Sequence, residues 1–166
     1  MRTIDEIDVA APPDVVFRLA ADVEGWPRIL PHYRYVRFVE RPDARVPLSR
    51  LTTPDSRLVE MSANRPFGPL DWPTWWMSEM WVDPARREVR YRHIRGITRG
   101  MDVLWRVEPR GAGSHVHLLH EWDGPAWPLI RYPAAEWVIG PVFVHGIASR
   151  TLAGVARAAA TEAARG

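Results

Sequence analysis

Residues 99–109 read RGMDVLWRVEP. Met101, Val103, Trp105 and Val107 fall on one side of a period of two, and Asp102, Leu104, Arg106 and Glu108 on the other. That alternation marks a strand with one buried face. The first set is expected to point into a core. A core face that carries a tryptophan then decides which way the neighbouring strands look.

Working outward, Glu88–Arg95 sends Val89, Tyr91 and His93 inward and Arg90 and Arg92 outward. Ser114–Trp122 sends Val116, Leu118, His120 and Trp122 inward, with His115, His117 and Glu121 outside. Asp83-Pro-Ala-Arg86 suits a type I turn, and Arg110-Gly-Ala-Gly113 a glycine-containing hairpin loop. Such short connections imply antiparallel neighbours. Tyr33–Glu40, Ser56–Ala63 and Trp75–Asp83 also read as strands.

The segment 71–81, DWPTWWMSEMW, holds four of the nine tryptophans. Neither face of it is polar throughout. Glu79 and Asp83 share a side with Trp75, Met77 and Trp81, so that side is expected outside. Trp76, Ser78, Met80 and Val82 then face in. An exposed patch of Trp75, Met77 and Trp81 would suit a homodimer or partner surface. Stacking of these indoles beneath Arg90 or Arg92 is the ordinary alternative. Residues 41–55 and 64–74 are Pro-rich and are expected to be surface loops or lids, with Trp72 in the loop or at the rim of a cavity.

Ahead of the strands, Thr3–Val9 alternates and reads as a strand. A helix is expected over Pro13–Ala21, with proline in its first turn, and a second short one over Glu24–Leu30, limited by Pro31. Beyond Gly124–Pro133 the composition turns to alanine. One long helix is expected from about Ala134 to Ala164, kinked or started by Pro141. The order is one strand, two helices, six strands and a long helix. A single helix cannot fill a curved sheet of that size, so a cavity between the two is expected.

Composition narrows the function. The length suits a single domain over 1–166, large enough to bury roughly 68–70% of its unfolded surface. There is no cysteine, which excludes disulfides, thiolate metal sites and a Cys nucleophile. All 22 basic residues are arginine, which excludes Schiff-base chemistry on lysine. The net charge is +2, with acids interspersed among the arginines, unlike the basic stripe of a nucleic-acid binder. MRTIDEIDVA is too charged for a signal peptide. The uncharged run from Trp137 to Ser149 falls short of the roughly 20 residues a membrane helix needs. A soluble cytoplasmic protein is expected.

The element order, together with Val23-Glu-Gly-Trp-Pro-Arg-Ile-Leu-Pro-His-Tyr33, resembles the START-like helix-grip proteins. These include polyketide cyclases/dehydrases and coenzyme-Q-binding proteins. The resemblance covers nearly the whole chain. It implies an α+β helix-grip fold, with a curved seven-stranded antiparallel sheet around a long C-terminal helix and two short helices between strands 1 and 2. Within it, the chain is similar to bacterial aromatase/cyclases. Trp26 and Tyr33 match their acidic-x-Trp-Pro stretch and the Tyr seven residues later. Trp76 and Ser78 match a cavity-facing Trp-x-Ser, and Met101 and Trp105 a Met-x-x-x-Trp. Those enzymes carry an arginine two residues after the serine, where this chain has Met80.

Two functions follow from the resemblance. The first is binding of a hydrophobic aromatic or polyketide-like molecule, with ring closure or dehydration promoted in the cavity. Tyr33, Ser78 and His93 would handle protons, because a Tyr or His in an apolar pocket can serve a ligand carbonyl. Trp26, Trp76, Met80, Tyr91, Met101, Trp105, His120 and Trp122 would line the cavity. The alternative is a non-catalytic quinone or lipid carrier, which Met80 suits as adaptable apolar surface. For each polar residue, satisfying a buried backbone group is the ordinary role. No cofactor is implied. His115-x-His117 shares a strand face but offers only Glu121 as a third ligand on an exposed face, so no metal site is expected. The rotation of the last helix, and with it the place of His145, is left open.

Overall fold

The structure is a computed structural model that describes residues 1–40, 56–67, 70–124 and 145–166; of residues 65–67, 70–72 and 145 only the backbone is described. β1 (Arg2–Val9) leads into α1 (Pro13–Ala21), which Pro13 starts at the position where a missing N–H costs nothing. A 3₁₀ turn (Val23–Gly25) and a single helical turn, α2 (Trp26–Ile29), follow. Six strands come next: β2 (Tyr33–Val39), β3 (Arg57–Phe67), β4 (Leu70–Asp83), β5 (Glu88–Gly96), β6 (Asp102–Arg110) and β7 (Gly113–Glu121). The last described element is α3 (His145–Ala163).

The strands form one antiparallel seven-stranded sheet in the order β1-β7-β6-β5-β4-β3-β2. This is the α+β helix-grip architecture, with α1, α2 and α3 on the concave face. Period-two burial holds along the central strands. Met101, Val103, Trp105 and Val107 are buried, as are Val116, Leu118, His120 and Trp122. Two close fits bring the layers together. Any Cβ on Gly154 of α3 would collide with Leu30, so glycine lets α3 settle against the end of α2. Gly96, at φ 97, passes 2.6 Å from the Trp75 carbonyl at the point where a Cβ would stand. Arg18 of α1 and Glu162 of α3 form an ion pair across the helix layer.

The structure corrects several expectations. Residues 64–67 and 70–74 are strand rather than loop: Asn64 pairs with Pro73, Arg65 with Trp72, Pro66 with Asp71 and Phe67 with Leu70. This stretch lies past Ala63, where β2 stops pairing with β3, and before Trp76, where β5 starts pairing with β4. Among the described strands it is a two-stranded extension, where a proline lacking its N–H is tolerated. The strand expected from Arg99 starts at Asp102, because Gly100 at φ 89 sits in a turn closed by Met101 N–H to the Thr98 carbonyl. Glu79, expected in solvent, is 2% exposed, covered by its register neighbours Leu58 and Arg92. Val82, expected inside, is exposed, because β3 pairing ends at Met80 and leaves it uncovered. The proposed lid 41–55, the break at 125–133 and a helical start near Ala134 or Pro141 lie outside the described residues.

Candidate functional site

A cavity of about 70 Å³ lies between the sheet and α3. Trp26 comes from α2 and Tyr33 from the first position of β2. Met61 and Trp76 come from β3 and β4, Tyr91 and His93 from β5, Val103 and Trp105 from β6, and Leu118 and His120 from β7. Thr98 and Met101 come from the β5–β6 turn, and Ile147, Ala148 and Thr151 from α3. These last three fix the rotation of the helix: its stripe of Ile147, Ala148, Thr151, Leu152, Val155 and Ala159 faces in. The side chain of His145 is outside the described residues.

Of the residues singled out from the sequence, Tyr33, His93, Trp26, Trp76, Tyr91, Met101, Trp105 and His120 border the cavity together. Ser78, Met80 and Trp122 do not. Ser78 is fully buried in the sheet face, Met80 packs in the same core, and Trp122 donates its indole N–H to the Arg99 carbonyl at 2.9 Å. Trp75 is exposed, and its indole N–H donates to Glu60; Met77 and Trp81 are half-buried.

The aromatic wall is continuous. Trp105 lies 5.8 Å from Trp26, Trp26 5.2 Å from Tyr33, Tyr33 6.2 Å from Trp76, and Trp76 6.0 Å from His93, ring centre to ring centre. The last pair is stacked and the Trp26–Tyr33 pair is edge-to-face, both favoured arrangements. Trp26 is further anchored by its N–H to the Leu19 carbonyl at 3.0 Å. Rings held this way line one side of the cavity with aromatic surface.

Its polar groups are few. The Tyr91 hydroxyl is buried and has no hydrogen-bond partner among the described residues. Burial, and to a lesser degree the neighbouring Tyr33, push its pKa well above the ordinary phenol value, so it stays an O–H donor at any physiological pH. His93 Nδ1 sits 2.6 Å from Thr98 Oγ1. The β5–β6 turn builds that contact, since His93 N–H donates to the Met101 carbonyl and Gly100 N–H to the His93 carbonyl.

A second polar string was not singled out from the sequence. Thr151 on α3 donates to the Tyr33 hydroxyl at 3.4 Å and lies 3.0 Å from His32 Nε2. Burial, helped by the nearby Arg150, lowers the His32 pKa to about 4, so this imidazole is neutral near pH 7. The only signal for it was adjacency to Tyr33; pairing with Thr151 needed the helix rotation. The site therefore offers hydroxyl donors and imidazoles on an aromatic wall, with no carboxylate or guanidinium among the described lining residues.

Comparison with known proteins fits this geometry. The sequence pattern of the family described as polyketide cyclase / dehydrase and lipid transport matches residues 3–160. The chain belongs to that family. A curated relative, a putative polyketide cyclase of Streptomyces halstedii, is 31% identical over 112 residues, covering 67% of this chain and 91% of the relative. Among solved structures, the Zhui aromatase/cyclase of Streptomyces sp. R1128 superposes with a TM-score of 0.71 at 22% identity, covering 99% of this chain and 94% of that one. A START superfamily protein of Mycobacterium smegmatis gives 0.63 at 14% identity, covering 99% and 97%. The two structures share the START-like fold of this family member. No helix among the described residues is long and apolar enough to cross a membrane.

Proposed function

We propose that the chain binds a hydrophobic aromatic or poly-carbonyl molecule in the cavity and promotes its ring closure or dehydration. The observation that carries this reading is the buried Tyr91 hydroxyl beside an aromatic wall. An unpartnered O–H in a dry site is costly, and a ligand carbonyl is the group that relieves it. Tyr91 and Tyr33 donate to carbonyl oxygens and hold the chain folded. His93, anchored on Thr98, removes a proton from the carbon between two carbonyls. The resulting enolate carbon attacks a second carbonyl carbon, and that oxygen takes up a proton to become a hydroxyl. Loss of this hydroxyl as water, with a neighbouring C–H proton, yields the unsaturated ring. Holding both reacting carbons in one dry site supplies much of the acceleration by proximity.

The cavity is small beside the roughly 300–1,000 Å³ of sites that hold drug-sized ligands. A polycyclic ligand therefore requires lining side chains to move apart. A second reading, a carrier for a quinone or lipid, is favoured by the absence of carboxylate and guanidinium from the described lining residues.

The test is to add the purified chain to a reactive poly-β-ketone and follow the ratio of cyclised products. The expected result is an altered ratio that Tyr91→Phe and His93→Ala each return toward the uncatalysed one. If wild type and both variants give the uncatalysed ratio while native mass spectrometry shows a retained quinone or lipid, the chain is a carrier.

A further inference from the structure

The outer face of the sheet, opposite the cavity, carries a second cluster of chemistry-bearing side chains. Residues Glu6 and Asp8 of β1 stand in register with His117 and His115 of β7. Strand alternation puts all four on one side, and Glu108 of β6 joins them. Glu6, His115 and His117 offer ligand atoms that all lie within 4.8 Å of one another. Glu121, the third ligand that the sequence suggested, is instead directed to Arg2 at the far end of the strand.

The order of contacts within the cluster is informative. The Glu6 carboxylate lies between the two rings, with Oε1 2.8 Å from His117 Nδ1 and Oε2 4.0 Å from His115 Nε2. Each ring has a second carboxylate on its other nitrogen. Asp8 lies 2.5 Å from His115 Nδ1, and Glu108 lies 3.5 Å from His117 Nε2. A carboxylate behind each imidazole fixes the ring, the arrangement that supports metal-bound histidine. The rings meet edge-on at 4.5 Å. Arg110 donates to Asp8 at 2.8 Å and lies 2.8 Å from His115 Nδ1. With neutral imidazoles, three carboxylates against this one guanidinium leave the cluster near −2, a field that favours a dication.

We propose that Glu6, His115 and His117 form a binding site for a divalent transition-metal ion of the zinc class, with Asp8 and Glu108 as supports. Two imidazoles and one carboxylate suit zinc, cobalt or nickel better than calcium or magnesium, which take oxygen ligands. Zinc holds such ligands at about 2.0–2.2 Å, so the three groups must draw in slightly, which half-exposed side chains do by rotamer change. Three protein ligands leave one position for water. The ion would also join β1, an edge strand of the sheet, to β7.

The test titrates the full-length chain with zinc chloride by calorimetry, with cobalt(II) absorption in the visible as the readout of coordination. One zinc per chain is expected, together with a tetrahedral cobalt spectrum and a thermal midpoint that rises with zinc concentration. His115→Ala combined with His117→Ala should weaken zinc by about 100-fold or more, and Asp8→Asn by about 10-fold. Glu6→Gln, which keeps the side chain's shape, should abolish the tetrahedral spectrum and guards against a fold defect in the double variant. Zinc binding as tight in Glu6→Gln as in wild type, or no stoichiometric uptake by wild type, would overturn the proposal.

Discussion

The two faces of one sheet solve opposite problems. Around the cavity on the inner face, the polar groups are hydroxyls and imidazoles set among tryptophans. One of them, Tyr91, has nothing to bond among the described residues. On the outer face, even nearly buried acids are fully served. Glu88 is 2% exposed yet accepts hydrogen bonds from both Arg90 and Arg106. Glu60 accepts from Tyr35, Arg37 and Trp75. Burial alone would raise both carboxyls, but these donors outweigh it and hold them below the ordinary carboxylate range. Alternation along a strand thus separates groups that stabilise the fold from groups that await a ligand.

The largest expected break in this comparison is Trp105→Ala. Trp105 is 2% exposed and touches Trp26, so its loss should cost about 3–5 kcal/mol in a denaturant titration while enlarging the cavity. Next is Glu88→Gln on the outer face, which removes the charge between two arginines; a loss of about 2 kcal/mol is expected by the same titration. Tyr91→Phe should have the opposite sign. Removing a hydroxyl with no partner should leave stability unchanged or raise it by up to about 1 kcal/mol, even as it impairs carbonyl binding. A destabilised Tyr91→Phe would mean that the inner hydroxyl is structural after all.

The smallest effect concerns pH. His32 has a folded pKa of about 4 against 6.5 in the unfolded chain, so the unfolded state takes up the proton first. Its contribution is whole above pH 6.5 and is lost as pH falls from 6.5 toward 4. The outer carboxylates, also lowered, begin to lose theirs as pH falls through the ordinary carboxylate range. The thermal midpoint of wild type should therefore fall relative to that of His32→Gln as pH drops from 6.5 toward 4.

Much of this was legible in sequence because strands with one buried face announce it. Met101–Val107 and Val116–Trp122 alternate without exception, and the helix spanning Pro13–Ala21 is punctuated by proline. What was not legible depended on neighbours. Pro66 and Pro73 read as loop residues until β3 and β4 were seen to run past the rest of the sheet. Glu79 read as a solvent charge until flanking strands covered it. Thr98 and Thr151 carried no signal, since a turn and a helix rotation bring them to the cavity. Ser78 and Met80 have the right parity to face inward, but parity does not say how far along the sheet the void extends.

The continuous contact from Trp105 through Trp26 and Tyr33 to Trp76 has a photophysical consequence. Excitation of one ring at these separations passes readily to the next. The cavity is therefore its own optical sensor: a molecule that quenches any one of these rings dims the emission of the set, with no label attached.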